Sequence, residues 1–208
     1  METGSESRPA QHGVGSLVFD LWSRFYDLPL LQRMGYQPVH DAVIKGVREE
    51  SPARVADIGC GTGLLTTRLN SSVRGTVVGL DFSPGMLDRA VARAPAVRWV
   101  RGDALHLPFA SGAFDTLCCT ESFHWYPDQA GAAVELGRVL APGGRLFLAL
   151  MSLPYTTGFG PQVRWPARDQ LAQMLGDAGL EVVEQRRVHR PPGGLLLSAL
   201  LTVARRPG

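Results

Sequence analysis

The chain has 208 residues, 45% of them hydrophobic and 19% charged, which fits one soluble domain with a sizeable core. Lys plus Arg number 21 and Asp plus Glu 19, a formal net charge of +2. A balance so near neutral gives no ground for a nucleic-acid or membrane-surface partner. The three cysteines, Cys60, Cys118 and Cys119, are an odd count without framework spacing, so a reducing compartment, the cytoplasm, is expected. No run reaches the ~18 apolar residues of a membrane-crossing helix, and METGSESRPAQHG lacks the basic start and apolar core of a signal peptide.

Residues 1–13 are polar and small, and they read as a disordered tail. Residues 14–50 read as a helical cap. Leu17, Leu21 and Phe25 recur at four-residue spacing; Pro29 and Gly35 interrupt them; Val39, Val43, Ile44 and Val47 mark a second helix to Glu50. Residues 51–208 read as the main domain. Strands are expected at Arg54–Ile58, Gly75–Leu80, Val97–Val100, Ala113–Thr120 and Arg145–Met151. Helices are expected at Leu64–Asn70, Pro84–Arg93, Asp128–Leu140 and Ala167–Ala178, with Ser83 as an N-cap and Gly179 as a stop. Pro142-Gly143-Gly144 reads as a turn into the fifth strand. Leu180–Val188 and Leu195–Ala204 form a closing antiparallel hairpin. Strands alternating with helices predict a mostly parallel, doubly wound α/β sheet that binds ligands at the carboxyl ends of its strands.

The segment Asp57-Ile58-Gly59-Cys60-Gly61-Thr62-Gly63-Leu64 places alternate glycines between a strand and a helix. They permit a tight turn and close backbone approach to a ligand. Asp81, 18 residues after Gly63, ends the second strand, where a carboxylate can accept both hydrogen bonds of a ribose diol; its blander reading is a helix cap, a duty Ser83 already meets. Neither glycine register completes Gly-x-Gly-x-x-Gly, because Leu64 and Thr66 occupy the third positions, which argues against a nicotinamide dinucleotide. Asp57 would repel bound phosphates and suits a cationic group such as an amino acid's ammonium.

Five ordered stretches, VADIGCGTGLLT, VVGLDFSPGMLDRA, VRWVRGDALHLPF, FDTLCCTESFHWY and LGRVLAPGGRLFL, resemble the class I S-adenosylmethionine-dependent methyltransferases. Their similarity is to the small-molecule branch of ubiquinone and menaquinone C-methyltransferases. WPARDQLAQMLGDAGLEVVE resembles that family's penultimate helix and strand. The resemblance implies a seven-stranded, Rossmann-like methyltransferase sheet with the last strand antiparallel. It implies S-adenosylmethionine as cofactor, S-adenosylhomocysteine as product and a small-molecule acceptor, with no nucleic acid and no membrane insertion.

It further implies that Asp57, Gly59, Cys60, Gly61 and Gly63 hold the methionine part and that Asp81 takes the ribose. Phe82 and Met86 flank the adenosine, Asp103 and Ala104 read the adenine edge, and Thr120 and Glu121 lie beside the methionine tail. Tyr26 resembles an aromatic that closes over the cofactor, and reads equally as a helix-packing ring. The implied chemistry is in-line methyl transfer, in which the protein mainly aligns donor and acceptor. His124 is the candidate general base, with loop orientation as its alternative. The Asn/Asp-Pro-Pro-aromatic motif of amide and adenine N-methyltransferases is absent, and so is the Pro-Cys pair of cytosine C5 enzymes. Tyr155, Phe159 and Trp165 are expected to line an acceptor pocket. A non-catalytic cofactor-binding protein, acting as regulator or partner subunit, is the alternative function.

Overall fold

A computed structural model describes residues 36–151, 164–190 and 194–208. Expectations for residues 1–35, Tyr26 included, and for Tyr155 and Phe159 lie outside the described residues.

In chain order the elements are α1 (Gln37–Glu50), β1 (Arg54–Ile58), α2 (Leu64–Ser72), β2 (Thr76–Asp81), α3 (Pro84–Arg93), β3 (Arg98–Arg101) and β4 (Phe114–Thr120). A 3-10 turn (Phe123–Trp125), α4 (Gln129–Val139), β5 (Leu140–Met151), α5 (Arg168–Asp177), β6 (Glu181–Arg190) and β7 (Gly194–Arg205) follow. The strands form one seven-stranded sheet in the order β3-β2-β1-β4-β5-β7-β6. β1 to β5 pair in parallel, and β7 runs antiparallel between β5 and β6. This is the doubly wound sheet with an antiparallel last strand that the sequence predicts.

The central strands are buried on both faces, and their side chains alternate between two cores. Ala56, Ile58, Leu117, Cys119, Leu146 and Leu148 point to one side, against Ala132, Leu136, Leu171 and Leu175 of α4 and α5. Val55, Cys118, Phe147 and Ala149 point to the other, against Val39, Val43 and Val47 of α1 and Leu65 and Leu69 of α2. The helix after residue 36 is therefore part of the sheet's own packing. Cys118 and Cys119 divide between the two cores as small apolar fillers.

Boundaries fall within two residues of expectation except at one strand. β5 begins at Leu140, five residues early: Leu140 pairs with Phe114, and the register then jumps so that Thr116 faces Arg145. The proline-glycine turn is folded into the strand as an irregularity. Arg206 fixes it, exchanging backbone hydrogen bonds with Gly143 and Gly144. Its guanidinium also donates to the carbonyls of Gly137, Arg138 and Leu140, capping the negative end of α4.

Candidate cofactor and acceptor site

The site lies at the carboxyl ends of β1, β2 and β4. After β1 the chain turns on glycines at φ +71 (Gly59), +55 (Gly61) and +77 (Gly63), a region that L side chains enter at a cost. The N–H groups of Gly59 and Cys60 both donate to the carbonyl of Leu80, at 2.8 and 2.9 Å, hooking the loop onto β2. Side chains also demand the glycines. A Cβ on Gly63 would collide with Trp99 and stand 3.0 Å from Ala90 Cβ. Trp99 is itself anchored by its Nε1–H on the Ala94 carbonyl at 3.0 Å. Arg93 Nε reaches back to the Thr62 carbonyl, also at 3.0 Å, tying α3 to the loop.

Asp81 joins loop to strand. One carboxylate oxygen accepts the Gly61 N–H at 2.8 Å, and the other accepts the Ser83 N–H at 2.9 Å. Ser83 caps α3 through the Met86 N–H, as its N-cap reading predicts. Phe82 is half-buried beside Asp81, and Met86 is buried. Beside Gly61 the nearest side-chain atom to a built Cβ is Met86 Sδ at 4.0 Å, so the loop leaves space there.

Asp57 is wholly buried. Its Oδ2 accepts from Thr66 Oγ1 at 2.6 Å, while Oδ1 has no hydrogen-bond partner among the described residues. Burial, aided by the charge on Asp81, raises its pKa from 3.8 to about 7. Asp81 is also raised, by burial, against the lowering effect of its N–H donors. Cys60 is a half-buried thiol whose pKa is pushed well above its ordinary range, first by desolvation and then by the two aspartates, so it is a filler of the turn rather than a nucleophile.

Further along the sheet, Asp103 accepts the Leu105 N–H at 2.9 Å, and Ala104 is buried in the core beside β4. Thr120 ends β4 opposite Ala149. Glu121 adopts φ +54 and turns its carboxylate inward, where Oε2 accepts the Met151 N–H at 2.9 Å and Oε1 is ion-paired with Arg190. Sequence reasoning missed Arg190. It lies 69 residues from Glu121, and no local pattern marks that pairing.

His124 sits on the 3-10 turn, 5% exposed, stacked on Trp165 with ring centroids 5.2 Å apart and planes at 17°. Its carbonyl accepts the Arg164 N–H at 3.0 Å, and Gln129 Nε2 bridges the carbonyls of Phe123 and Arg164. The segment before α5 is thereby clamped over this turn. Nδ1 of His124 is buried without a partner among the described residues, and burial lowers the imidazole pKa to about 4. Trp165, expected in the acceptor pocket, is thus brought onto the candidate base.

The strand order, the antiparallel β7 and the acidic ends of β1 and β2 define a Rossmann-like methyltransferase fold. Comparison with known proteins narrows the class. Residues 56–148 match the family model described as a methyltransferase domain. The demethylmenaquinone methyltransferase of Thermus thermophilus is 43% identical over 117 residues, covering 54% of this chain and 53% of that protein. The one from Renibacterium salmoninarum is 30% identical over 187 residues, covering 74% and 76%. The fold superposes on the N-methyltransferase NodS from Bradyrhizobium japonicum, solved with S-adenosylhomocysteine, with a TM-score of 0.76 at 20% identity over 93% of this chain and 98% of that one. The chain belongs to the class I S-adenosylmethionine-dependent methyltransferases, of the quinone C-methyltransferase type. It spans about half the length of the first curated relatives it matches.

Proposed function

We propose that this protein binds S-adenosylmethionine in the glycine-loop site and transfers its methyl group to a small-molecule acceptor. The observation that carries the reading is the pair of carboxylates, Asp57 and Asp81, close enough that the charge on one raises the pKa of the other. A pyrophosphate would add negative charge to that pair. A ligand with an ammonium group and a ribose diol relieves it. The residues fit such a ligand: Asp57 keeps a buried oxygen free for a cation, and Asp81 keeps lone pairs beyond the N–H donors of Gly61, Phe82 and Ser83. When bound, the cofactor supplies a methyl group on a sulfonium with a neutral leaving group.

The protein's part is then alignment and exclusion of water. Gly59, Cys60, Gly61 and Gly63 cradle the methionine part, Asp81 orients the ribose, and Phe82, Met86, Asp103 and Ala104 bound the adenosine. Thr120 and Glu121 close the site at the end of β4. His124, with a pKa of about 4, is a weak base in this setting, so we assign it the orientation of the loop after β4, through its stacking on Trp165. The relatives' names make a demethylmenaquinone-type ring the first acceptor to try. The unpaired thiols of Cys60, Cys118 and Cys119 suit a reducing cytoplasm. Among the described residues no helix is long and apolar enough to cross a membrane.

Calorimetric titration with S-adenosylmethionine and S-adenosylhomocysteine tests the reading, with NAD as control and Asp81→Ala as the variant. Micromolar binding of both, lost in the variant and absent for NAD, is expected. Binding of NAD, or of none of the three, refutes it.

A further inference from the structure

The loop after β4 meets the glycine loop through a small, half-buried network. Ser122 Oγ donates to the carbonyl of Ile58, the last residue before the glycines, at 3.2 Å. Tyr126 Oη donates to Ser122 Oγ at 3.2 Å. Cys119 Sγ lies 3.3 Å from Ser122 Oγ and 3.8 Å from Tyr126 Oη, so the three side chains form one cluster. Gly59 rests directly on it: a Cβ there would collide with Ser122 and stand 2.9 Å from Tyr126 Oη. Hydroxyls withdrawn from solvent need partners, and these two half-buried ones find theirs at the root of the glycine loop. Ser122 and Tyr126 are also the residues that flank the turn Phe123–Trp125, which carries His124.

We propose that Ser122 and Tyr126 are positioning residues that brace the methionine end of the cofactor cradle and set the acceptor-side turn against it. The inference rests on the S-adenosylmethionine reading above. Neither side chain touches the reacting atoms; each acts through Gly59 and Ile58. Because both lie on one hydrogen-bonded path, removing either should release the same constraint, and removing both should add little. The effect should be confined to ligands that carry the amino-acid part, since the adenosine contacts come from β2, α3 and the loop after β3.

The test uses the full chain and four proteins: wild type, Tyr126→Phe, Ser122→Ala and the double variant. Phenylalanine keeps the edge-to-face packing of ring 126 on Phe123, at 5.7 Å between centroids, so the fold is retained. Each protein is titrated with S-adenosylhomocysteine and with 5′-methylthioadenosine, which lacks the amino-acid part. We expect each single variant to bind S-adenosylhomocysteine about five- to tenfold more weakly, the worth of one hydrogen bond. The double variant should be no more than about twofold worse than either, and 5′-methylthioadenosine should bind all four proteins within about twofold. Unchanged affinity for S-adenosylhomocysteine overturns the inference, as do additive losses or equal losses for both ligands. Failure of the wild type to bind S-adenosylhomocysteine overturns the cofactor reading and this inference with it.

Discussion

The Glu121 carboxylate and the Arg190 guanidinium form an ion pair with side chains only 4% and 3% exposed, bridging the carboxyl end of β4 and the end of β6. Burial raises the Glu121 acid, and Arg190 opposes that rise. Glu121 holds this position with a left-handed backbone, which a non-glycine residue adopts at a cost of order 1–3 kcal/mol. Desolvating two charges also costs several kcal/mol each, and their attraction offsets this only while both are present.

Arg190→Met should therefore lower stability by about 3–5 kcal/mol, because it strands a buried carboxylate. Adding Glu121→Leu should restore most of that loss. Urea denaturation of the two single variants and the double variant checks it; additive losses would show that the pair itself contributes nothing.

Gly63→Ala should be among the most damaging single-methyl changes in the chain. The new Cβ meets Trp99 and Ala90, and φ +77 is unfavourable for alanine. We expect a stability loss of at least about 2 kcal/mol. Trp99→Leu in the same chain should recover the steric part and leave the backbone part. Thermal denaturation of the three proteins separates the two.

Proton release should accompany cofactor binding near neutrality. Asp57 has a pKa of about 7, and an ammonium beside it favours the carboxylate. Affinity should rise with pH up to about 7 and level off above it, approaching a tenfold change per unit on the acid side. Calorimetric enthalpies at pH 6.5 should differ between phosphate and Tris, and Asp57→Asn should abolish the difference. The same raised pKa stabilises the folded state below 3.8, and that contribution is lost as pH rises toward 7, so Asp57→Asn should also make the ligand-free protein more stable at pH 8.

Two histidines give the opposite slope. Burial lowers His40 to about 3, aided by Arg68 and Arg190, and lowers His124 to about 4. Both bind protons more readily unfolded than folded, so stability is full above 6.5 and falls as pH drops toward 4. Each contributes about 1.4 kcal/mol per pH unit within that window. His40→Gln should reduce the acid-side slope of the unfolding free energy by about one proton relative to wild type.

The architecture is legible in the sequence because its signals are local. Strand periodicity, Ser83 at a helix start and Gly179 at a helix end are each read within a few residues. The start of β5 was missed because Ala141–Gly144 looks like any turn. What extends the strand is a long-range anchor, Arg206, acting on residues more than 60 positions away. Asp57, the glycines and Asp81 can be picked out together because they lie within 25 residues of one another. The arrangement after β4 cannot. The inward turn of Glu121, the partner it finds in Arg190 and the stacking of Trp165 on His124 depend on tertiary burial, which no spacing reveals. The approach of Tyr126 to Ser122 and Gly59 is hidden for the same reason.

β7 lies between β5 and β6, and among the described residues β6 pairs with no other strand. The sheet is thus completed out of the order of synthesis. When β6 leaves the ribosome, the strand it pairs with among the described residues has not yet been made. Val188 packs in the core that holds Val39 and Val43, and Arg190 pairs with Glu121, made 69 residues earlier. Translation can pre-assemble β1 to β5, but Glu121 meets its buried partner only after β6 has been made, and β6 is locked into the sheet only by β7.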